Sequence, residues 1–137
     1  MNGANVKAYS RKNDGLTKLS ANFRVNEFAC SDASDTIFIS PELVTVLQKI
    51  RDHFGKPVKI NSAYRTPTKN KAVGGAAYSQ HLYGMAADIV VGSGTGVVAP
   101  NVVAAYAETL LPGKGGIGIY STFTHIDVRK VKSRWKG

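Results

Sequence analysis

The sequence has very little cysteine, and this limits how the protein can be stabilised. Cys30 is the one cysteine among 137 residues. An intramolecular disulfide framework is therefore excluded, and the folded state must be stabilised by packing. A cysteine-rich metal site is excluded for the same reason, so any metal here must be held by histidine and carboxylate side chains.

Long apolar runs are also missing. No segment approaches the roughly 20 apolar residues that a membrane-spanning helix needs. The first residues, MNGANVKAYSRKNDGLTKLS, lack the apolar core of a secretory signal. We therefore expect a chain that is made in the cytoplasm without a signal peptide and is not inserted into a membrane.

Acidic residues are scarce relative to basic ones. Nine Asp and Glu residues stand against 18 Lys and Arg, which gives a formal net charge of +9. Such a charge favours polyanionic partners, namely nucleic acid, anionic lipid or an anionic cell wall. Because the basic residues are dispersed and no recognition helix or stacking platform accompanies them, we do not expect nucleic acid as the partner.

The length and the 43% hydrophobic content are sufficient for one compact domain. Residues 1–22 are polar and aperiodic, which predicts an N-terminal arm, and residues 131–137 form a basic C-terminal tail. Residues 23–130 contain the helix and strand signals and form the expected domain. We expect the protein to be a monomer.

Helix and strand signals within the domain indicate the α+β class. An N-cap, a proline and an acidic residue predict a helix over 41–54, and similar logic predicts another over 100–110. Residues 58–60 and 86–91 are typical of strands, and residues 116–128 of a tight antiparallel hairpin. These patterns predict a small antiparallel sheet packed against helices.

Two histidines and one aspartate lie in segments that small residues and strand alternation should make rigid. His81 precedes Gly84, where the chain can bend, and Asp88 follows within the next predicted strand. His125 lies in the last strand of the hairpin. Three protein ligands with an open fourth position are typical of a catalytic zinc site. Taken alone, each of these residues could equally be an ordinary polar residue that caps a loop.

The segments SAYRT, SQHLYGMAADI and GGIGIYSTFTHIDVR resemble the zinc D-Ala-D-Ala carboxypeptidase family, peptidase M15. The likeness extends upstream through NFRVNEFAC and SPELVTVLQKIRDHFGKPVKINSAYRT, is similar to the phage-associated branch, and covers about residues 22–129. The pattern S-x-H-x-x-G-x-A-x-D is complete from Ser79 to Asp88. The resemblance implies a hedgehog/DD-peptidase-like fold and a zinc ion held by His81, Asp88 and His125.

The resemblance also implies how the substrate is bound. It suggests that Arg65 faces the substrate, where a guanidinium could bind a terminal carboxylate or polarise the scissile carbonyl. A structural salt bridge is the other interpretation of Arg65. We assign Ser79 and Gln80 to substrate binding together with Arg65.

The general base is the one point at which this sequence departs from the family. Many members carry an acidic residue three positions before the last histidine, whereas this chain has Thr122 there. Asp127 is the candidate substitute, because strand alternation places it on the same face as His125. The alternative role for Asp127 is to orient the His125 ring without itself binding the metal.

The expected function is hydrolysis of peptidoglycan stem peptides, as a D-Ala-D-Ala carboxypeptidase or a D,D-/L,D-endopeptidase, in a phage or prophage endolysin that reaches the wall after phage-type release. Thr122 leaves open a non-catalytic, zinc-containing wall-binding or phage structural module. A cysteine peptidase using Cys30 is a weaker rival, because the preceding apolar residues predict a buried thiol. The serine-peptidase pattern S-x-x-K at residues 133–136 lies in the basic tail.

Overall fold

The computed structural model describes residues 6–137. The helices are α1 Arg11–Asp14, α2 Pro41–Phe54, α3 Pro67–Ala72 and α4 Pro100–Leu110, with short 3-10 turns at Val25–Phe28, Gln80–Tyr83 and Gly94–Gly96. The strands are β1 Lys7–Ser10, β2 Lys18–Ser20, β3 Phe23–Arg24, β4 Thr36–Ile39, β5 Val58–Ser62, β6 Ala86–Val91, β7 Gly116–Ile119, β8 Thr124–Asp127 and β9 Ser133–Lys136. No helix within residues 6–137 has the length and hydropathy needed to cross a membrane.

The main sheet has five strands in the order β5-β6-β8-β7-β9. Its first four strands pair antiparallel, including the predicted β7–β8 hairpin, while β9 pairs parallel with β7. Two small antiparallel sheets pair β1 with β4 and β2 with β3. The predicted α+β class is confirmed, and the parallel strand β9 is an addition at the sheet edge.

Helix α2 has the bounds that the capping signals predict. The Ser40 hydroxyl accepts a hydrogen bond from the Leu43 N–H at 3.4 Å, and Gly55 ends the helix at φ 62° in the left-handed region. The buried face of the helix packs against β6 and α4. It carries the fully buried core residues Leu43, Leu47 and Ile50.

The segments near both ends of the chain contain more secondary structure than the sequence suggests. The predicted arm contains β1, α1 and β2, and the predicted tail contains β9. Both segments therefore contain regular secondary structure, and residues 1–5 lie outside the described residues. The reason is that β1 and β9 form by pairing with the distant strands β4 and β7, and neither carries a local apolar pattern that reveals this pairing.

One face of the main sheet brings the chemically important residues together. Asp88 on β6 is directly opposite His125 on β8, so the two side chains are neighbours on the same face. His81 reaches this face from the 3-10 turn Gln80–Tyr83, which ends at Gly84 with φ 70°. A Cβ on Gly84 would lie 2.2 Å from the carbonyl oxygen of Phe38, so this turn requires glycine.

Candidate metal centre

The three predicted metal ligands meet at one point. One ligand atom from each of His81, Asp88 and His125 lies within 4.8 Å of the other two. Nε2 of His81 is 3.3 Å from Oδ2 of Asp88, and Nδ1 of His125 is 3.0 Å from Oδ1 of Asp88. All three residues are buried. The fold therefore assembles the predicted trio from a 3-10 turn and two adjacent strands.

Hydrogen bonds on the far side of each ring show which nitrogen is available. Nδ1 of His81 lies 2.6 Å from the carbonyl oxygen of Ala63, which can only accept, so this nitrogen carries the proton. Nε2 of His125 lies 2.8 Å from Oδ2 of Asp127 and likewise donates. The lone pairs of His81 Nε2 and His125 Nδ1 are thereby left to face Asp88.

This donor set fits a zinc ion. Two imidazole nitrogens and one carboxylate oxygen are ligand types of catalytic zinc sites, in which three protein ligands leave a fourth position for water or substrate. Each histidine also donates its other ring N–H to an oxygen, as metal-binding histidines usually do. The arrangement therefore has both the ligands and the outer partners that such a site requires.

The Asp88 carboxylate supplies the negative charge that attracts a cation to this centre. Burial raises the pKa of Asp88, but hydrogen bonds from His125 and His81 outweigh it and hold that pKa well below its ordinary value. Burial lowers the pKa of His125, whereas its bonds to Asp127 and Asp88 raise it to a net value above the ordinary one. Asp88 is thus ionised at neutral pH, and a cation that binds at the trio competes with protonation of the His125 ring.

Asp127 lies behind His125 and not on the side of the ring that faces Asp88. Its side chain is 0% exposed. Oδ2 accepts from Nε2 of His125 at 2.8 Å and from Nη2 of Arg129 at 2.6 Å, while Oδ1 accepts from Nε of Arg129 at 2.8 Å. The expected shared strand face is present, but this placement favours the orienting role over that of general base.

Two glycines of β7 leave space on this face for larger side chains. A Cβ on Gly116 would lie 2.1 Å from Oδ2 of Asp127, and a Cβ on Gly118 would lie 2.5 Å from the ring of Trp135. The indole centroid is 4.9 Å from that of His125 and 5.5 Å from the guanidinium carbon of Arg129. Sequence reasoning missed Trp135, and the alternating glycines of GIGI were the signal of a close approach.

Arg65 lies at the edge of the cluster, with its side chain 18% exposed. Its Nε donates to the Ser62 hydroxyl at 3.1 Å, Nη1 to Oδ1 of Asn70 at 3.3 Å, and Nη2 to Oδ2 of Asp88 at 3.5 Å. Its backbone N–H also donates to the carbonyl of His81 at 3.0 Å. Arg65 therefore forms an ion pair with a candidate metal ligand, and its side chain remains partly exposed.

The other predicted site residues lie in the turn before β6. Ser79 caps the 3-10 turn, because its hydroxyl accepts from the His81 N–H at 3.2 Å. Gln80 is the first residue of that turn and is half-buried. Both residues thus lie next to His81, while the exposed Thr122 lies in the turn between β7 and β8.

Cys30 lies in the hydrophobic core with 2% of its surface exposed. Its polar neighbour is the Thr66 hydroxyl, 4.0 Å from the sulfur. A thiol in such a setting behaves as a small hydrophobic side chain. This location argues against a cysteine peptidase.

The fold and the site together define a small α+β protein with a buried His-Asp-His metal centre. A model of the Peptidase M15 family matches residues 21–127, and the chain belongs to that family. The zinc D-Ala-D-Ala carboxypeptidase of Streptomyces albus G is 48% identical over 54 residues, which is 37% of this chain and 21% of that protein. The match thus spans about a fifth of the length of this curated relative.

Trp135 is the one tryptophan in the sequence and should report metal binding optically. Titration of Co²⁺ into the metal-free protein should quench its fluorescence in a saturable, one-to-one manner, because the indole lies beside His125. His125→Ala should remove the saturable quenching. His53→Ala is the matched control, since that imidazole stacks on Tyr106 and lies outside the cluster. Saturable quenching that survives in His125→Ala would argue against this centre.

Proposed function

We propose that this protein is a zinc peptidase that hydrolyses peptide bonds in peptidoglycan stem peptides, either as a D-Ala-D-Ala carboxypeptidase or as a D,D-/L,D-endopeptidase. The observation that carries the proposal is the buried cluster of His81, Asp88 and His125, with Arg65 beside it, in a chain of the peptidase M15 family. The name of the Streptomyces relative supports both the metal and the substrate.

A zinc ion held by the trio would supply Lewis-acid polarisation of a carbonyl and activation of a water molecule. Groups behind the two histidines fix the orientation of this centre. The Ala63 carbonyl and Asp127 fix the tautomers of His81 and His125, so that the correct nitrogens face Asp88. Arg65 presents a planar fork of donors at the rim, which suits a terminal carboxylate or a developing oxyanion.

A second candidate function is a wall-binding module that holds zinc without cutting. Thr122 occupies the position at which the family resemblance places an acid, and Asp127 is buried behind His125. Within residues 6–137, the hydrogen bonds and ion pairs of the two cluster histidines involve no carboxylates other than those of Asp88 and Asp127. This shortage of a free carboxylate is the observation that favours the second candidate.

Digestion of purified peptidoglycan, followed by mass spectrometry of the muropeptides, decides between the two functions. Loss of a terminal D-Ala would identify a carboxypeptidase, and opened cross-links would identify an endopeptidase. A chelator should abolish the products and added zinc should restore them. Cosedimentation with the wall without new products would favour the binding module and contradict the proposed peptidase.

We also propose a biological setting, that of a phage or prophage endolysin which is made in the cytoplasm and reaches the wall after phage-type release. The net charge of +9 supports attraction to an anionic wall. Expression inside a bacterial host should therefore be tolerated until the membrane is permeabilised. Lysis should then follow only with an intact metal centre, and equal lysis by His81→Ala would contradict the proposal.

Arg65→Lys tests the substrate-binding role of Arg65. We expect normal zinc content and a kcat/KM lowered by roughly tenfold to a hundredfold, because lysine keeps the charge but loses the planar fork. The measurement is stem-peptide hydrolysis with metal analysis of the same samples. Arg51→Lys, which makes the same exchange on helix α2, is the control. An unchanged rate would leave Arg65 with a structural role only.

A further inference from the structure

Asn70 is a buried polar residue outside the metal cluster, and its side chain forms hydrogen bonds with Arg65 and with the loop that follows α3. It lies on α3 and is 4% exposed. Its Oδ1 accepts from Nη1 of Arg65 at 3.3 Å, and its Nδ2 donates to the carbonyl of Ala76 at 2.9 Å. The backbone carbonyl of Asn70 also accepts from the Gly75 N–H at 2.8 Å. Asn70 thus connects Arg65 to the loop of residues 73–79, which leads to His81.

The loop backbone lies directly against the Asn70 side chain. A Cβ on Gly75 would be 2.1 Å from Oδ1 and 2.7 Å from Cγ of Asn70. Any larger residue at position 75 would therefore displace the amide from its two hydrogen bonds. Glycine is needed here because of this close approach and not because of a positive φ.

The contacts of Arg65 show why this amide matters. Its three guanidinium nitrogens meet three different acceptors, namely the Ser62 hydroxyl, Asn70 Oδ1 and Asp88 Oδ2. Three acceptors on a planar fork define the plane of the group. The contacts to Ser62 and Asn70, at 3.1 and 3.3 Å, are shorter than the contact to Asp88 at 3.5 Å, so both take part in orienting the guanidinium.

We propose that Asn70 is a positioning residue that acts through Arg65. It fixes the plane of the Arg65 guanidinium at the metal centre and ties that plane to the position of loop 73–79. The loop and Arg65 are thereby held in one fixed arrangement beside the metal centre. The proposal rests on the proposed function only in so far as Arg65 meets the substrate.

Three substitutions separate the contacts of Asn70, and a fourth serves as the control. Asn70→Ala removes both side-chain bonds, whereas Asn70→Asp keeps an acceptor for Arg65 and loses the donor to Ala76. Gly75→Ala adds a methyl group that would clash with the Asn70 amide from the loop side. Lys71→Ala is the control, because Lys71 is the exposed neighbour on the same helix.

The first test measures the order of the Arg65 side chain by ¹⁵N NMR in the zinc-loaded full chain. The Arg65 Nε–H signal is assigned by its disappearance in Arg65→Lys. We expect a rigid signal in the unmodified protein and an order parameter below about 0.6 in Asn70→Ala, with no change in Lys71→Ala. Asn70→Asp should keep the signal rigid. A folded Asn70→Ala protein with an unchanged Arg65 signal would overturn the proposal.

The second test is a double-mutant cycle on stem-peptide hydrolysis. Asn70→Ala should lower kcat/KM by about tenfold to a hundredfold at normal zinc content, which is the scale of a misplaced binding group. The double variant Asn70→Ala, Arg65→Lys should be little worse than Arg65→Lys alone, because both act through one guanidinium. Additive losses would overturn the proposal.

The two tests separate failure of this inference from failure of the proposed function. If the unmodified protein cleaves no wall peptide, the proposed function fails, and the NMR comparison still decides the role of Asn70. If it cleaves and neither readout responds to Asn70→Ala, the positioning role fails alone. If Asn70→Ala does not fold, Gly75→Ala takes its place in the NMR comparison. The Arg65 side chain should then lose its order in Gly75→Ala, and a rigid Arg65 in that variant would contradict the proposal.

Discussion

Replacement of His81, Asp88 or His125 by alanine should each abolish tight zinc binding and, with it, hydrolysis of stem peptides. The three side chains supply every protein ligand atom of the candidate centre, and a three-ligand site has no spare donor. Changes to outer partners of a metal site already cost about 10- to 100-fold in affinity, so loss of a ligand should exceed that range. The measurement is zinc content by elemental analysis, paired with digestion of purified peptidoglycan.

The controls for this prediction separate metal loss from unfolding. Asp88→Ala also leaves Arg65 without its carboxylate partner, so Asp88→Asn provides a variant of similar shape. His53→Ala removes a histidine that stacks on Tyr106 and should retain full zinc and full activity. Stoichiometric zinc in a folded His125→Ala protein would contradict the ligand assignment.

Asp127→Asn should weaken zinc affinity by about ten- to a hundredfold and leave a protein whose activity returns at high zinc. The carboxylate accepts the Nε2 proton of His125 at 2.8 Å and is fully buried, so it sets the orientation and basicity of that ligand. Asparagine can still accept this bond through a neutral oxygen, but it loses the charge that Arg129 also pairs with. The measurement is hydrolysis as a function of added zinc.

A general-base role for Asp127 would give a different result. In that case kcat should fall by roughly a hundredfold or more while zinc stays bound, and added zinc should not restore it. Asp52→Asn makes the same exchange at an exposed position on α2 and is the control. Normal zinc affinity together with normal turnover in Asp127→Asn would exclude both roles.

The helices and central strands could be predicted because their signals are local. The caps of α2 lie within one turn of its ends, and the small, apolar run of β6 and the alternation of β8 each lie within a single segment. Strand β9 could not be predicted, because its formation depends on β7, more than ten residues earlier, and on the glycines that leave space for Trp135. Its sequence shows only a basic tail with one aromatic residue.

The sequence by itself indicated the candidate ligands His81, Asp88 and His125, because they lie in segments that small residues and strand alternation make rigid and because those segments resemble a zinc peptidase family. Only the tertiary structure decided which ring nitrogen each histidine offers, since that depends on the Ala63 carbonyl and Asp127 behind the rings. The tertiary structure likewise connected Arg65 with Asn70 and brought Trp135 to His125. Such contacts depend on side-chain conformations and on strand pairing between distant segments, and neither is encoded in the local pattern of residues.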